Sequence, residues 1–296
     1  MGQDLRFDDR VAIVTGAGRG LGRDHALYLA GRGAAVVVND VSADHAHGTA
    51  TDIAAAGGRA IADTHSVVDG AEAIVQGALD TFGRLDVLVN NAGRGGPTGT
   101  IEDTTDAQVA TIVSTHMMGT WSMCRAAWPH LRAQRYGRIL ITSSAAAVGS
   151  LGMPAYAMAK AGLIGLARSL ALEGAEHGIT VNVLMPIGYT RSAALNPHED
   201  TRRWMEENFP PHLCAPTAAL LVHEDAPCSG EIITTGAGRA ALIATVGVPG
   251  YSAGPELTME NLRDHWSEVM DTTGFKPLRY SREELDFYQG PAAWRG

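Results

Sequence analysis

The sequence predicts an α/β protein in which a doubly wound parallel sheet forms a single domain with a C-terminal extension. Three observations support this class. Residues 11–32 read as a strand, a glycine-rich turn and a helix in that order, and a second apolar run follows at residues 35–38. The length of 296 residues and the 45% hydrophobic content suit one such domain with a sizeable core.

Composition and charge exclude several classes of function. The formal net charge of −9 argues against a nucleic-acid partner, which needs a basic surface. No apolar run reaches membrane-spanning length, and no metal-ligand or hydrolase motif of the H-E-x-x-H, P-loop or G-x-S-x-G type occurs, so we expect neither a membrane partner nor a metal. Three cysteines without C-x-x-C spacing, and no apolar signal segment near the first residues, favour a reducing, cytoplasmic location.

The first element predicts a phosphate-binding turn. The apolar run of residues 11–14 leads into the turn Thr15–Gly22, and an alanine- and leucine-rich helical pattern continues from Arg23 to about Arg32. This order allows backbone N–H groups and the positive end of the helix dipole to meet a pyrophosphate. Glycines stand where any Cβ would block that approach. We therefore predict a dinucleotide site here.

An acidic residue after the second strand predicts which dinucleotide binds. The run of residues 35–38 ends in Asn39 and Asp40, and Asp40 lies twenty residues beyond Gly20. A carboxylate at that distance accepts hydrogen bonds from a ribose diol and repels a 2′-phosphate, so it selects NAD. Arg19 in the turn favours NADP instead. We predict NAD, because the charge of Asp40 would lie against the ribose itself.

Tyr156 and Lys160 carry the predicted chemistry. They stand four residues apart in an alanine-rich run that continues through Leu170, so a helix places both side chains on one face. A free tyrosine has a pKa of about 10, and an ammonium about 4 Å away is worth roughly three pKa units before desolvation opposes it. The pair therefore predicts a tyrosine that acts as acid and base near neutral pH. The alternative is a core tyrosine beside a solvated lysine.

Later motifs appear in an order that resembles the short-chain dehydrogenase/reductase family. The glycine turn has the spacing T-G-x-x-x-G-x-G, the N-N-A-G sequence follows the apolar run of residues 85–89, and the strand-like segments 137–142 and 179–190 complete the set. The resemblance covers roughly residues 8–240. It implies a Rossmann-type sheet, a nicotinamide cofactor and a homodimer or homotetramer. The residues that it implies for cofactor binding are Gly16, Arg19, Gly20, Leu21, Asp40, Ser66, Val67, Asn90, Ala92, Gly93, Tyr156, Lys160, Pro186, Ile187 and Thr190.

The resemblance also assigns catalytic roles. Tyr156 takes the hydroxyl proton of the substrate, Lys160 lowers the pKa of Tyr156 and holds the nicotinamide ribose, and a serine hydrogen-bonds the substrate oxygen. Ser143 has the usual separation of thirteen residues from the tyrosine, whereas counting from the start of the strand at Gly137 leads to Ser144. Strand register constrains side-chain direction more strongly than loop length does, so we predict Ser144 with Ser143 as the alternative.

Two positions depart from the family pattern. His116 replaces an asparagine that often holds a proton-relay water, and an imidazole can also bind water and shuttle a proton. A buried structural histidine is an equal alternative. After the predicted third strand, residues 64–67 read Thr-His-Ser-Val where an aspartate often holds the adenine amino group. That departure leaves the side-chain contact to adenine open.

A closer resemblance narrows the substrate. Residues 36–40, His116, residues 125–128 and residues 222–225 resemble the hydroxyacyl-CoA dehydrogenase module of peroxisomal multifunctional enzymes and its bacterial stand-alone relatives. This implies NAD-dependent interconversion of a secondary alcohol and a ketone, with a 3-hydroxyacyl-CoA or a hydroxysteroid as substrate. The alternatives are a terpenoid or cyclic alcohol dehydrogenase, an NADPH-dependent 3-oxoacyl-carrier-protein reductase and, more remotely, a non-catalytic dinucleotide-binding protein.

The predicted organisation divides the chain in three. Residues 1–240 form the sheet domain, and within it residues 191–216 form a substrate lid that contains Trp204, Met205 and Phe209. Residues 241–296 form an extension that is not an independent domain and packs on the sheet domain or on a neighbouring subunit. A loosely ordered tail is the alternative. The stretch 257–270 shows amphipathic spacing.

Overall fold

The computed structural model describes residues 4–96, 98–190, 194 and 198–288, and it confirms the predicted α/β class. Eight strands form the main sheet: β1 Val11–Thr15, β2 Ala35–Asn39, β3 Arg59–Asp63, β4 Val87–Asn90, β5 Gly137–Thr142, β6 Ile179–Pro186, β7 Ile232–Gly236 and β8 Arg239–Ile243. Their order in the sheet is β3-β2-β1-β4-β5-β6-β7-β8, and the pairs from β3 through β7 are parallel.

Helices connect the strands. They are α1 Gly20–Gly31, α2 Ala43–Ala55, α3 Ala71–Phe82, α4 Asp106–Val113, α5 Gly119–Gln134, α6 Pro154–Gly174, α7 Glu199–Asn208 and α8 Ala215–Leu221. A π-helical turn, Ser114–Met118, joins α4 to α5. Residues 106–134 are therefore helical throughout, with this turn in their middle. None of the helices in the described ranges has both the length and the apolar composition that a membrane crossing requires.

The strands of the sheet centre are buried on both faces. Every residue of β1, β2, β4 and β5 is buried, as expected for parallel strands that helices cover on either side. The last strand is different, because only Ala237 and Gly238 link β7 to β8, with φ angles of 49° and 74°. A link this short joins antiparallel strands, so β8 runs antiparallel to β7.

The strand order places a crevice where the winding changes direction. β1 pairs with β2 on one side and with β4 on the other, so the connections leave β1 and β4 toward opposite halves of the sheet. In open α/β sheets, ligands bind outside the carboxyl ends of the strands at such a point. The predicted glycine turn follows β1, and the N-N-A-G sequence begins at the last residue of β4 and continues beyond it.

The chain divides after Leu242 into two compact units. Within the second unit, the short strands β9 Val246–Gly247 and β10 Lys276–Pro277 pair antiparallel, and the rings of Tyr251 and His265 stack with centroids 4.2 Å apart. The amphipathic stretch predicted over residues 257–270 forms two short helices, α9 Met259–Asp264 and α10 Trp266–Val269. His265 lies between them and caps both. A last short helix, α11, spans Ser281–Glu284.

Candidate active site

Hydrogen bonds to Thr15 join the turn after β1 to the turn after β4. The Thr15 hydroxyl oxygen accepts hydrogen bonds from the backbone N–H groups of Asn91 and Ala92, each at 3.0 Å. The Asn91 side-chain amide donates to the carbonyl oxygens of Thr15 and Gly16 at 3.0 and 3.3 Å. The ends of β1 and β4 therefore form one rigid rim. Thr15 and Asn91 were not among the predicted site residues, although both lie within the glycine-turn and N-N-A-G motifs.

The glycines of the turn leave a cradle that side chains would fill. A Cβ on Gly22 would lie 2.2 Å from the Gly16 carbonyl oxygen, and one on Gly16 would lie 2.9 Å from the Cα of Ala92. Gly20, where α1 begins, has a φ of 55°, and its Cβ position is open to a distance of 4 Å. Close backbone packing with an open approach at a helix N-terminus fits a pyrophosphate. Arg19 is exposed and Leu21 half-buried beside this opening.

Asp40 lies at the carboxyl end of β2 and is tied to the glycine turn. One carboxylate oxygen accepts from the Gly18 N–H at 3.1 Å, and the other accepts from the Ser42 N–H at 3.0 Å. Each carboxylate oxygen has a second lone pair, so both remain able to accept from a ribose hydroxyl. Asp40 can therefore hold the backbone at Gly18 and Ser42 and still bind a ribose, as predicted.

The loop after β3 contains the next predicted cofactor residues. Val67 is buried and packs closely against Gly119. A Cβ on Gly119 would lie only 2.6 Å from the Val67 side chain. The Ser66 hydroxyl accepts from the Val68 N–H at 3.1 Å and so shapes the turn that leads to α3. Its hydroxyl proton is still available to a ligand.

Lys160 is buried in the wall of the site. Its ammonium donates to the carbonyl oxygen of Thr142, the last residue of β5, at 2.7 Å. It lies 5.6 Å from the centre of the Tyr156 ring. Burial lowers the pKa of Lys160 to about 7, because the charged form has lost its hydration. The contact with Thr142 carries no sequence signal, since any residue supplies a carbonyl.

The pKa of Tyr156 differs from the sequence expectation. Burial raises the pKa of the phenol, and a hydrogen bond with the Ser144 side chain acts in the opposite direction. The expected depression by Lys160 does not appear in the protein alone. The physical reason is that burial lowers the pKa of Lys160 to about 7, so in the protein alone the amine has lost its charge before a buried phenol ionises, and its nitrogen is turned toward the Thr142 carbonyl.

The two candidate serines have different surroundings. The Ser143 hydroxyl is buried and donates to the carbonyl oxygen of Lys160 at 2.8 Å. The Ser144 hydroxyl is half-buried, accepts from the Ala146 N–H at 3.2 Å and hydrogen-bonds Tyr156. The structure thus brings Ser144 to Tyr156 and fixes Ser143 against the main chain of α6.

His116 lies inside the π-helical turn and closes the site opposite Tyr156. The two rings meet edge to face with centroids 5.3 Å apart, and the imidazole Nε2 lies 2.9 Å from the Arg94 carbonyl oxygen and 3.3 Å from its nitrogen. Burial, with the charge of Lys160 as the next contribution, lowers the pKa of His116 to about 4. The imidazole is therefore neutral at neutral pH, and its buried Nδ1 has no hydrogen-bond partner among the described residues.

The remaining predicted residues lie at the carboxyl ends of β4 and β6 or just after them. Asn90 is buried, and its amide donates to the Cys124 sulfur at 3.4 Å while its side-chain oxygen has no described partner. Gly93 leaves room for His116, because a Cβ there would lie 2.5 Å from the imidazole Cε1. Pro186 ends β6, and Ile187 is partly exposed and donates its N–H to the Thr235 carbonyl oxygen at 2.7 Å.

The predicted lid is described in part. Thr190, which directly precedes the lid, is half-buried. Within the lid, residues 191–193 and 195–197 lie outside the described residues. Farther along, the rings of Trp204 and Phe209 meet with centroids 4.8 Å apart, and the Phe209 carbonyl oxygen accepts from the Tyr189 N–H at 2.7 Å. Apolar side chains therefore stand where the lid returns to the sheet.

Together these residues fit a nicotinamide dinucleotide. The glycine cradle is open at the N-terminus of α1, and the buried side-chain oxygen of Asn90 and the buried ammonium of Lys160 lie farther along the same rim. In the part of the chain that the structure describes, no group of three or more histidine, cysteine or acidic residues is placed to hold a metal ion.

Comparison with known proteins identifies relatives over most of the chain. The sequence model of a family described as short chain dehydrogenase matches residues 10–203. The chain is 39% identical over 289 residues to peroxisomal multifunctional enzyme type 2 of Drosophila melanogaster. The aligned region covers 93% of this chain and 47% of that enzyme. It is 37% identical over 283 residues to a short-chain type dehydrogenase/reductase of Mycobacterium tuberculosis, with coverages of 90% and 96%. The chain thus spans about half the length of the first relative.

Solved structures agree with these relatives. The full-length peroxisomal multifunctional enzyme type 2 from Drosophila melanogaster superposes with a TM-score of 0.80 at 36% identity, over 96% of this chain and 49% of that one. A 7α-hydroxysteroid dehydrogenase in complex with NADH and 7-oxo glycochenodeoxycholic acid superposes with a TM-score of 0.72 at 30% identity, over 79% and 95%.

Proposed function

The chain belongs to the short-chain dehydrogenase family and is an oxidoreductase that acts on CH–OH groups, and from this premise we propose that it oxidises a 3-hydroxyacyl-CoA or a hydroxysteroid with NAD. The observation that carries the proposal is the convergence of Ser144, Tyr156 and Lys160 at one end of the crevice, while Asp40 stands at the other. When bound, the nicotinamide supplies the hydride acceptor.

The protein's own residues manage the proton and the substrate oxygen. Ser144 hydrogen-bonds the substrate oxygen and the Tyr156 phenol, so it orients the hydroxyl toward the base. Tyr156 accepts the hydroxyl proton, and the ammonium of Lys160 stabilises the phenolate that precedes this transfer. Because the pKa of Lys160 is about 7, an anion that approaches the ammonium favours its charged form.

The choice of NAD rests on Asp40. Its carboxylate is held at the ribose end of the crevice by the Gly18 and Ser42 N–H groups and keeps lone pairs for a diol. A 2′-phosphate at this place would face a negative charge. Arg19, the residue that would favour NADP, is exposed in the turn.

The substrate class rests on relatives and on the lid. Relatives include multifunctional enzymes of peroxisomes and, among solved structures, a hydroxysteroid dehydrogenase. Helix α7 of the lid is mostly charged, but the ring contact of Trp204 with Phe209 provides an apolar surface that suits an acyl chain or a fused ring system. Terpenoid alcohols are the competing substrates in the test below, whereas a carrier-protein thioester reductase would differ by its preference for NADPH.

We also propose a homodimer or homotetramer. Trp121 on α5 and Leu172 on α6 are about half exposed, at 49% and 52%, and they lie on helices next to the site. A second copy would cover this apolar surface. The cytoplasmic location also stays a proposal, carried by three free thiols at Cys124, Cys214 and Cys228.

The test is NADH formation with a panel of 3-hydroxyacyl-CoAs, hydroxysteroids and terpene alcohols, with wild type, Tyr156→Phe and Tyr28→Phe. We expect Tyr156→Phe to lower turnover by about two orders of magnitude or more, because a general base contributes roughly 10²–10⁴-fold. NAD affinity should stay near that of wild type. Tyr28→Phe, on the far part of α1, is the matched control and should keep turnover. Full turnover in Tyr156→Phe would remove the mechanism.

A further inference from the structure

We infer that His65 reads the base of the dinucleotide: its Nε2 accepts a hydrogen bond from the adenine amino group, and Asp63 holds the imidazole in the tautomer that makes this possible. The inference rests on the proposed binding of NAD. It concerns a position that the sequence analysis left open, because the family's aspartate is absent there and the loop after β3 reads Thr-His-Ser-Val.

The strand order places His65 at the right distance from the phosphate turn. β3, β2 and β1 are parallel neighbours, and Asn39 at the end of β2 pairs with Asp63 at the end of β3. The carboxyl ends of these strands are therefore spaced by about 4.8 Å each along one edge. With the pyrophosphate at the turn after β1 and the ribose at Asp40 after β2, the base reaches the end of β3.

The Asp63 carboxylate determines which imidazole nitrogen carries the proton. One oxygen accepts from the Asn39 side-chain amide at 2.7 Å and from the His65 N–H at 3.1 Å, and the other lies 2.9 Å from the His65 Nδ1. The Asp63 side chain is only 11% exposed. A carboxylate has no hydrogen to donate, so Nδ1 must donate. Nε2 of the neutral ring is then an acceptor.

The acceptor is both fixed and accessible. Asn39 is buried and also donates to the His65 carbonyl oxygen at 2.8 Å, so the main chain at His65 is anchored to β2. A Cβ on Gly70 would lie 2.7 Å from the Cβ of His65, so the glycine makes room for the base of this side chain. The His65 side chain is 56% exposed. A rigid, solvent-facing acceptor can accept a hydrogen bond from the amino group of adenine. It would repel a carbonyl oxygen at the same position, because both groups are acceptors.

The test compares NAD with nicotinamide hypoxanthine dinucleotide, in which a carbonyl oxygen replaces the adenine amino group. Affinities are measured by calorimetry on the purified full chain, at a pH well above the ordinary histidine pKa of about 6.5. We expect wild type to bind NAD about tenfold more tightly, the effect of one unpaired hydrogen-bonding group. In His65→Ala the ratio should fall to about one, whereas the matched control His177→Ala should keep the wild-type ratio.

Asp63→Asn gives a second and sharper readout. The amide oxygen of the new side chain stays toward Asn39 and the His65 N–H, because both are donors. Its NH₂ group then faces Nδ1 and donates to it, which moves the imidazole proton to Nε2. We therefore expect the preference to invert in favour of the hypoxanthine analogue. A residue with a merely structural role would weaken both ligands equally.

The outcomes separate this inference from the function it rests on. Tight NAD binding with an unchanged ratio in His65→Ala, or with no shift of the ratio in Asp63→Asn, overturns the inference alone. A wild-type protein that binds neither dinucleotide overturns the proposed function and this inference together.

Discussion

The hydroxyl of Ser143 donates a 2.8 Å hydrogen bond to the carbonyl oxygen of Lys160, so the end of β5 is joined to α6, the helix that carries Tyr156. The neighbouring Ser144 hydroxyl instead hydrogen-bonds the Tyr156 phenol. Adjacent residues of one strand end therefore have separate tasks. One serine stabilises the wall of the site, and the other faces the cleft.

The first prediction separates the two serines. Ser144→Ala should lower turnover by about 10²-fold or more, because it removes a donor aimed at the reacting oxygen, and it should leave the melting temperature nearly unchanged. Ser143→Ala should keep most of the turnover and lose about 1 kcal/mol of stability, the usual value of a buried hydrogen bond. Steady-state kinetics and thermal denaturation of both variants provide the check. The reverse pattern would assign the catalytic role to Ser143.

The second prediction concerns His116. Because its pKa is about 4, the imidazole is neutral at neutral pH, and kcat/KM should show no inflection from this residue between about pH 5 and pH 8. His116→Asn, which keeps a donor and an acceptor, should retain turnover within about tenfold. His116→Leu should lose more than that, because the Arg94 main chain loses its partner. An inflection near pH 6.5 in wild type that vanishes in His116→Asn would contradict the neutral imidazole.

The third prediction concerns cofactor choice at Asp40. Asp40→Asn removes the charge while it keeps the shape, so NAD affinity should fall by about tenfold and NADP affinity should rise. Titration of both oxidised cofactors against the two proteins measures the ratio directly. Asp80→Asn, an exposed aspartate on α3, is the matched control. If the NAD-to-NADP ratio stays the same in Asp40→Asn, the carboxylate has only its structural role toward Gly18 and Ser42.

The fourth prediction concerns His25 on α1, which is buried, with no described hydrogen-bond partner at either ring nitrogen. Burial lowers its pKa from 6.5 to about 4. Between these values the unfolded chain binds more protons than the folded protein. The stability contribution is therefore complete above pH 6.5 and is lost as the pH falls toward 4, by up to about 3 kcal/mol.

His25→Phe removes this titration without a large change of volume. Its melting temperature relative to wild type should rise steadily as the pH is lowered from 6.5 to 4. A pH-independent difference between His25→Phe and wild type would show that His25 finds a proton acceptor in the folded protein.

Much of the fold followed from short-range patterns. Buried parallel strands need apolar side chains on both faces, so the valine- and isoleucine-rich runs of β1, β2 and β5 were visible before any tertiary information. The glycine turn and the four-residue spacing of Tyr156 and Lys160 were equally visible. Both depend on local backbone geometry. The family motifs then implied a Rossmann-type sheet.

The sequence by itself determined the fold class, the family and the position of the crevice, because periodicity and turn chemistry act over a few residues. Only the tertiary structure decided that Lys160 turns to Thr142, that Ser144 and not Ser143 meets Tyr156, and that His116 is neutral. These properties depend on burial and on hydrogen bonds between segments far apart in the chain. Desolvation of a charge depends on everything packed around it, and no local pattern encodes that environment.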